Sequence, residues 1–265
     1  MGTALITGAT SGIGREFCWQ LSNAGHNLVI VARDRDRLEE LADNVRRVNR
    51  VTVEVFDADL AEPAELAAVC RRLSVNGSDE DGGFDGELAP VDILVNNAGF
   101  GFGTSFLKDD FENQLYGLDV MVRAVMATCY YAGRQMQERG SGTIINISSV
   151  AADTGMGPYS AHKGWVRAFS EGLHEELQGS GVKVVCSMPG LTHTDFHRRS
   201  QGGGFGNPPE MMWMNPNQVV KETLEAAQRN QALVTPSLRY KVIYHAQRIA
   251  PRSVVRAVVN RLPHS

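Results

Sequence analysis

Short runs of β-branched and other apolar residues recur along the chain and are separated by stretches with helical periodicity. Six of these runs predict strands, and most are apolar on both sides of the alternation, as in strands buried on both faces. They are TALIT (3–7), NLVIVA (27–32), VTVEVFD (51–57), VDILVNN (91–97), GTIINIS (142–148) and VKVVCSM (182–188). The pattern predicts a buried sheet with helices between its strands.

The segments between these runs have the apolar periodicity of helices. Leu38, Leu41 and Val45 form one stripe, and the first predicted helix ends before Gly25, which suits the left-handed residue after a helix. The predicted helices cover residues 13–23, 35–48, 106–139 and 160–178. Alternating strands and helices predict an α/β fold in a single domain, residues 1–265, with a doubly wound parallel sheet flanked by helices on both faces. Ligands bind such sheets beyond the carboxyl ends of the strands.

Two stretches interrupt this alternation. Residues 74–90 are acidic and glycine-rich, which predicts a surface insert before the fourth strand. Residues 195–216 combine glycines and prolines with large apolar residues, and loops of this length in a compact domain are typical of lids and binding segments. Their large apolar side chains either line an apolar substrate pocket or only pack the lid. These side chains are Phe205, Met211, Met212, Trp213 and Met214.

Composition describes an ordinary globular protein, with 43% hydrophobic and 21% charged residues. A formal net charge of -4 argues against nucleic acid as the main partner. The four cysteines lie far apart, with neither metal-site spacing nor a disulfide framework, and this predicts no metal and a reducing, cytoplasmic compartment. The first apolar run lacks the features of a signal peptide, and no run reaches the ~18 apolar residues of a membrane span.

The first predicted strand leads into TGATSGIG, residues 7–14, and then into a predicted helix. In such a loop Gly8 permits a tight turn, Gly12 lets the backbone approach a ligand, and Gly14 allows the helix to pack closely on the strand. The free N–H groups of the first helical turn favour an anion such as a pyrophosphate. The loop therefore predicts a nucleotide site.

The spacing T-G-x-x-x-G-I-G differs from the common dinucleotide-binding fingerprint. Together with NNAG (96–99) and the pair Tyr159 and Lys163, it resembles the compact, single-domain branch of the short-chain dehydrogenase/reductase superfamily. The motifs occur in the family's order and cover residues 3–195. The resemblance implies a Rossmann-like fold and a nicotinamide cofactor. The cofactor positions that it implies are Gly8, Ser11, Gly12, Ile13, Gly14, Arg33, Asp59, Leu60, Asn96, Ala98, Tyr159, Lys163, Pro189, Gly190, Thr192 and Thr194.

The resemblance also implies roles for several of these positions. Asp59 accepts a hydrogen bond from the adenine amino group, with Leu60 beside the ring; alternatively, it caps a helix ahead of Pro63. Asn96 and Ala98 belong to the turn that supports the adenosine half. The segment that holds the nicotinamide amide is MPGLTHT (188–194), with Pro189, Gly190 and either Thr192 or Thr194.

The choice between the two nicotinamide cofactors depends on the end of the second predicted strand. Arg33 lies where NAD-preferring relatives have an acidic residue, and a guanidinium binds a 2′-phosphate through a planar pair of donors. Arg33, helped by Ser11 and Arg35, predicts NADP(H) in preference to NAD(H). In the alternative, Arg33 is a solvated loop residue and Asp34 accepts from the 2′-hydroxyl.

The same resemblance implies a catalytic set. Tyr159 is the acid/base, and Lys163 favours its deprotonated form and binds the nicotinamide ribose. Ser149 holds the substrate oxygen within reach of Tyr159, and Ser148 is the alternative serine. The implied activity is an oxidoreductase that interconverts a ketone or aldehyde and an alcohol by hydride transfer.

The sequence departs from the family pattern in two places. The interval between Ser149 and Tyr159 is about three residues shorter than usual in the family. Met121 replaces an asparagine that many relatives use to hold a water beside the lysine, and a thioether is a weak hydrogen-bonding group. Asn113, two turns earlier, is expected to be too far away to replace it. Met121 therefore leaves open an alternative function, a nucleotide-binding sensor or scaffold with impaired catalysis.

The C-terminal region is basic, with no acidic residue after Glu225. Arg248, Arg252 and Arg256 recur every fourth residue, with Val255, Val258, Val259 and Leu262 as an apolar set. This predicts a helical extension near residues 237–262 that packs beside the pocket, on a neighbouring subunit, or on an anionic membrane surface. The last alternative implies a membrane-surface reductase of lipid carbonyls. The family resemblance further implies a homodimer or homotetramer that pairs through helices 106–139 and 160–178.

Three histidines lie near these motifs. His162 lies between Tyr159 and Lys163 in sequence but off their helical face, so we expect it at the surface or an interface. His193 and His197 border the predicted lid and contact either substrate or solvent.

Overall fold

The computed structural model describes residues 2–75, 88–194 and 209–259. Within these residues, seven parallel strands form one sheet in the order β3-β2-β1-β4-β5-β6-β7. The strands are β1 Thr3–Thr7, β2 Asn27–Ala32, β3 Val53–Asp57, β4 Val91–Asn96, β5 Gly142–Ile147, β6 Val182–Ser187 and β7 Leu233–Val234. The doubly wound fold and its six predicted strands are confirmed. The two-residue β7 is too short for an apolar run to indicate it.

Helices cover both faces of the sheet because alternate strand residues point to opposite sides. Ile6 of β1 packs with Phe17 and Leu38 on one face, whereas its neighbour Leu5 packs with Val69 and Val166 on the other. The helices are α1 Gly12–Asn23, α2 Arg35–Asn49, α3 Pro63–Leu73, α4 Phe111–Leu118, α5 Ala124–Arg139, α6 Gly157–Glu176, α7 Pro216–Gln228, α8 Leu238–Ile249 and α9 Arg252–Val259. Helices α1, α2 and α7 share the first face, and α3, α5 and α6 the second.

The ends of the first two helices are fixed by local hydrogen bonds. Gly25 follows α1 with φ 86°, and the N–H of His26 donates to the carbonyl oxygen of Leu21 at 3.0 Å, as in a Schellman motif. Asp34 is the N-cap of α2, and its side chain accepts from the N–H of Arg37 at 3.1 Å. The cap ties the end of β2 to α2 beside Arg33.

The single helix predicted over residues 106–139 is not found. A short 3₁₀ turn, Phe106–Lys108, precedes α4, and a π-helical turn, Asp119–Arg123, joins α4 to α5. A π-helical turn adds one residue to a turn of an otherwise regular helix. Apolar periodicity does not reveal it because the chain is helical on both sides. The π turn contains Met121, so this departure from regular geometry coincides with the departure from the family pattern.

The C-terminal extension consists of two helices, α8 and α9, with Ala250 and Pro251 between them. The prediction of one arginine stripe through Arg248 and Arg252 is wrong because Pro251 cannot continue a helix. No helix in the described ranges is long and apolar enough to span a membrane.

Several predicted features lie outside the described residues. They are residues 76–87 of the acidic insert, residues 195–208 of the lid with His197 and Phe205, Leu262, and the side chains of Arg256, Val258 and Val259.

Candidate active site

A cleft of about 1600 Å³ opens beyond the carboxyl ends of the central strands. Ligand pockets commonly measure about 300–1000 Å³, so this cleft has room for a large cofactor and a second molecule. It brings together 15 of the predicted site residues: Gly8, Ser11, Gly12, Ile13, Arg33, Asp59, Leu60, Ala98, Ser149, Tyr159, Lys163, Pro189, Gly190, Thr192 and Thr194. Gly14 and Asn96 are not among its lining residues.

The glycine loop leaves no space for side chains at its three glycines. Gly8 has φ 66°, and a Cβ there would lie 2.9 Å from the Asn97 amide nitrogen. Gly12 has φ 53°, and a Cβ would lie 2.6 Å from the Thr194 methyl group. At Gly14 a Cβ would collide with the carbonyl oxygen of Gly8. The loop therefore keeps its backbone bare beside the cleft, as a pyrophosphate site requires.

The NNAG turn is hydrogen-bonded to the start of this loop. Asn97 donates its amide N–H to the carbonyl oxygens of Thr7 at 3.0 Å and Gly8 at 3.2 Å. The Thr7 hydroxyl oxygen accepts from the main-chain N–H of Asn97 and of Ala98. Sequence reasoning did not single out Asn97, although its motif was identified.

Asn96 differs from the cofactor contact that the resemblance implied. It is buried beneath the cleft, where its amide donates to the Asn146 side chain at 2.9 Å. Its oxygen accepts from the Thr128 hydroxyl at 2.8 Å. Consecutive residues at a strand end point to opposite sides, so Asn96 cross-links β4 with β5 and α5 while Asn97 faces the loop.

At the end of the cleft formed by β2 and α4, three side chains form a hydrogen-bonded chain. Arg33 Nη1 donates to the Tyr116 hydroxyl at 2.7 Å, and that hydroxyl donates to Asp59 Oδ2 at 2.9 Å. Burial, with the bond to Asp59, raises the pKa of Tyr116 to about 12, so it stays protonated. Asp59 also accepts from the N–H of Ala61 at 3.0 Å. Sequence reasoning missed Tyr116 because it lies 83 residues from Arg33.

The other candidates at this end have partners of their own. Asp34 lines the cleft, but its carboxylate caps α2. Arg35, expected to help Arg33, instead pairs with Asp57 at 2.9 Å and is not a lining residue. Arg37, which the sequence did not indicate, lines the cleft and donates to the carbonyl oxygen of Thr10 at 3.0 Å.

The three predicted catalytic residues converge where β5 meets α6. The Ser149 side chain hydrogen-bonds Tyr159, and its oxygen accepts from the N–H of Ala151 at 3.1 Å. Lys163 Nζ lies 6.0 Å from the centre of the Tyr159 ring and donates to the carbonyl oxygen of Ile147 at 2.8 Å. The Ser148 hydroxyl is engaged elsewhere, since it donates to the carbonyl oxygen of Lys163 at 2.7 Å.

The protonation of this pair is set mainly by burial. Tyr159 is accessible from the cleft but lies deep enough that burial raises its pKa to about 12, against the smaller lowering effect of Ser149. Burial lowers the pKa of Lys163 to about 8. The resemblance led us to expect that Lys163 lowers the tyrosine pKa, whereas the largest influence on the pKa of Tyr159 here is burial, which raises it.

Met121 lies beside Lys163. A Cβ on Gly99 would lie 3.4 Å from Lys163 Nζ and 3.5 Å from Met121 Sδ, so both side chains converge on this glycine. Met121 is buried in an apolar cluster with Val120. Asn113 also lines the cleft, where its amide donates to Asp109 at 3.2 Å.

The short loop between Ser149 and Tyr159 closes through its own hydrogen bonds. Thr154 bonds the carbonyl oxygen of Ala151 at 2.7 Å and the Ser160 hydroxyl at 2.9 Å. Asp153 pairs with Arg167 of α6 at 3.3 Å, and its carbonyl oxygen accepts from Arg252 of α9 at 3.2 Å. The C-terminal extension thus braces the shortened loop.

The histidines and the lid residues occupy different surroundings. His162 is half-buried, with its ring 5.9 Å from that of Phe102. His193 stacks on Trp213 with ring centres 4.9 Å apart and lies 2.8 Å from Glu210. Met212 lines the cleft, Met214 is buried, and Met211 is 67% exposed. The predicted apolar cluster is therefore divided between pocket, core and surface.

Helix α8 forms part of the cleft wall through Tyr240, Ile243 and Gln247. The Tyr240 hydroxyl donates to the carbonyl oxygen of Met212 at 2.8 Å and accepts from the N–H of Leu191 at 3.1 Å. Of the alternatives for the C-terminal extension, packing beside the pocket therefore holds for α8. Contact with another subunit or a membrane surface stays a prediction.

Comparison with known proteins agrees with this geometry. A family model described as short chain dehydrogenase matches residues 2–202. Serine 3-dehydrogenase of Agrobacterium fabrum is 33% identical over 214 residues, 76% of each chain. A short-chain dehydrogenase from Sphingobium yanoikuyae, solved in complex with NADPH, is 31% identical with a TM-score of 0.82, covering 99% of this chain and 97% of that one.

A second solved structure is also similar over nearly the whole length. The bulky-bulky ketone specific alcohol dehydrogenase from Comamonas testosteroni is 29% identical with a TM-score of 0.77, covering 99% of this chain and 95% of that one. The glycine loop, the Ser149–Tyr159–Lys163 cluster and these similarities agree. The chain belongs to the short-chain dehydrogenase family of oxidoreductases.

Proposed function

We propose that the protein is an NADP(H)-dependent oxidoreductase that interconverts a ketone or aldehyde and an alcohol, with Tyr159 as the acid/base. The observation that carries the proposal is the hydrogen bond between Ser149 and Tyr159 in a cleft that also contains Lys163 and the bare glycine loop. The loop and the Pro189–Gly190 segment would hold the cofactor, which when bound supplies or accepts the hydride.

Each catalytic side chain has a role that follows from its position. Tyr159, with a pKa of about 12, is protonated at neutral pH and gives its proton to the carbonyl oxygen as the carbon becomes reduced. The Ser149 hydroxyl accepts from Ala151 and makes only a long bond of 3.5 Å to the carbonyl oxygen of Pro189, so it can turn its proton to the substrate oxygen and orient it. The Lys163 ammonium stabilises the phenolate that remains.

The preference for NADP(H) is supported by the charges at the Asp59 end of the cleft. Arg33 and Arg37 line this end, and the carboxylate that would favour a free 2′-hydroxyl, Asp34, is used as a helix cap. A guanidinium suits a 2′-phosphate. The NADPH in the solved Sphingobium yanoikuyae relative is consistent with this preference.

A bulky, neutral carbonyl compound is the proposed substrate class. Among the described lining residues, the charged side chains are Arg33, Asp34, Arg37, Asp59 and Lys163, which belong to the proposed cofactor site and the catalytic set. The remaining wall includes Phe100, Val150, Met156, Leu191 and Met212. This composition resembles a site for bulky ketones more than one for a small zwitterion such as serine.

Two further parts of the proposal concern the protein's state. Exposed apolar side chains on α4 and α5 support a homodimer or homotetramer that pairs through these helices. They are Phe111, Leu115, Leu118, Met126 and Tyr130. All four cysteines are buried and free, which supports a reducing cytoplasm.

The experiment is NADPH consumption against a panel of bulky ketones and aldehydes, with NADH as the comparison cofactor. We expect turnover that is faster with NADPH and that falls at least about 100-fold in Tyr159→Phe, while NADPH binding is retained. Turnover that survives in this variant would contradict the role of Tyr159.

Met121 favours a second candidate function, a cofactor-binding sensor or scaffold. Its thioether lies beside Lys163, where relatives hold a water, and cannot pass protons. Tight NADPH binding without turnover of any carbonyl compound in the panel would support this candidate.

A further inference from the structure

Helix α8 presents one face to the cleft and the opposite face to solvent. Tyr240, Ile243 and Gln247, at spacings of three and four residues, line the cleft, whereas Leu238 and Ile249 are 76% and 86% exposed. The two hydrogen bonds of the Tyr240 hydroxyl anchor this helix to Leu191 and to Met212. The cleft-facing side is therefore held in a defined position.

The part of the cleft wall around Tyr240 and Ile243 of α8 is mostly apolar. Ile243, one turn before Gln247, packs with Val150, Leu191 and Met212 around Tyr240. Thr154, a polar side chain in the same lining, already has two partners. Gln247 is thus a polar group set into the apolar part of the wall.

The Gln247 carboxamide has an unmet hydrogen-bonding requirement. Its Oε1 is enclosed and has no hydrogen-bond partner among the residues that the structure describes. A buried polar atom without a partner is destabilising, whereas the same atom contributes to affinity when a ligand completes its bond. The Gln247 side chain as a whole is partly exposed and lines the cleft, so rotation of its carboxamide can bring an amide atom to a polar group on a ligand.

We propose that Gln247 is a specificity-determining residue that binds a hydroxyl group of the substrate, remote from the reacting carbonyl. The substrate class is then a bulky apolar ketone or aldehyde that carries a distal hydroxyl. A carboxamide both donates and accepts, as a hydroxyl does, so the pair is matched in either orientation of the amide. The proposal rests on the proposed carbonyl reductase function.

The test separates binding from turnover. The probes are 4-phenylcyclohexanone and its para-hydroxyphenyl analogue, which differ by one hydroxyl remote from the carbonyl. Their dissociation constants are measured by titration calorimetry on the NADPH complex of Tyr159→Phe, which holds both compounds unreacted. The same titrations are made with Gln247→Met added and with Gln228→Met as the control, since Gln228 is exposed at the end of α7 and lines no part of the cleft.

We expect the hydroxylated ketone to bind more tightly by on the order of three- to tenfold, the effect of one neutral hydrogen bond. This preference disappears in Gln247→Met and persists in Gln228→Met. Equal affinities for the two ketones, a preference that survives in Gln247→Met, or no binding of either ketone would each overturn the inference. Selective binding without NADPH consumption by the native protein would leave the Gln247 site standing and contradict the reductase function instead.

Discussion

Arg33 Nη1 lies 2.7 Å from the Tyr116 hydroxyl, so an arginine with a 63% exposed side chain at the end of β2 is held in place by a half-buried phenol on α4. Tyr116 in turn donates to Asp59 and lies with its ring centre 5.5 Å from that of Phe100. Holding a long side chain in advance removes part of the entropy cost of binding. In the proposed NADP(H) site, Tyr116 would thus hold Arg33 in position for the 2′-phosphate.

Tyr116→Phe removes the hydroxyl, the shortest contact of the Arg33 guanidinium, and leaves its ion pair with Asp59 at 3.9 Å and its contact with the ring. We expect the dissociation constant for NADPH to rise on the order of three- to tenfold, with that for NADH unchanged within about twofold. Fluorescence titration with both cofactors measures the effect. In an Arg33→Ala background the substitution should have no further effect on NADPH.

The chain offers a matched control for Tyr116→Phe. Tyr130 on α5 also accepts from an arginine, Arg134, at 3.0 Å, but at an exposed position that does not line the cleft. Tyr130→Phe should leave both dissociation constants unchanged. If Tyr116→Phe weakens the binding of NADPH and NADH equally, the Tyr116 hydroxyl acts on the adenine site that both cofactors share. It would do so by positioning Asp59, to which it donates.

Met121→Asn places an amide beside Lys163 in an apolar cluster. We expect kcat to rise by up to about tenfold as the lysine gains a polar connection toward water. A buried amide without full hydrogen bonding costs about 1–3 kcal/mol of unfolding free energy, so the melting temperature should fall by several degrees. Steady-state kinetics and thermal unfolding test the two effects.

Met211→Asn is the control for this substitution because Met211 is 67% exposed and is not among the residues that line the cleft. It should change neither kcat nor the melting temperature appreciably. A kcat for Met121→Asn equal to that of the native protein would show that the thioether does not limit proton transfer.

The pKa values in the cleft predict the pH dependence of reduction. Lys163 has a pKa of about 8, lowered by burial, so its charge is lost as pH rises through 8. Tyr159, at about 12, remains a proton donor across this range. We expect kcat/KM for NADPH, which reports the free enzyme, to be level below pH 7 and to fall above pH 8, by about tenfold per unit well above the pKa.

Lys163→Arg tests whether Lys163 causes the fall in kcat/KM above pH 8, the alkaline limb of the pH profile. A guanidinium stays charged throughout the accessible range, so the limb should move to higher pH in this variant, whatever its absolute activity. A limb that stays near pH 8 would belong to another group.

Gly14→Ala tests the packing of the glycine loop. The added Cβ would meet the carbonyl oxygen of Gly8, a backbone atom that cannot rotate away, and we expect a loss of about 1–3 kcal/mol in unfolding free energy. Gly172→Ala, in α6 with open space around its Cβ position, should instead stabilise by about 0.5–1 kcal/mol. Denaturant unfolding compares the two, and similar effects of both would contradict the packing argument.

The sequence predicts this fold well where local signals decide it. The bounds of β1 and β2 match the apolar runs residue for residue, since a glycine or a polar residue ends each run. Pro251 indicates in the sequence itself that the C-terminal region is not one continuous helix. The π turn has no such indication, because one additional residue within a helix leaves the apolar stripe nearly unchanged.

Only the site residues that belong to recognisable sequence motifs could be predicted from the sequence. Gly12 and Thr194 belong to separate motifs, and the family order alone brought them into one site. Tyr116 and Gln247 belong to no motif, and their positions depend on how α4 and α8 pack against distant parts of the chain. Asn96 was assigned to the cofactor because a motif gives neighbouring residues without saying which of them faces the ligand.

The wall that α8 adds to the cleft has a consequence for how such a protein can diversify. The family model ends at residue 202, whereas Tyr240, Ile243 and Gln247 lie beyond it. The residues of the proposed catalytic set and glycine loop, and the α8 residues that shape part of the pocket, thus lie in separate stretches of the sequence. Exchanging residues 209–259 between relatives would transplant part of the substrate choice and leave the glycine loop and the Ser149–Tyr159–Lys163 cluster unaltered in sequence.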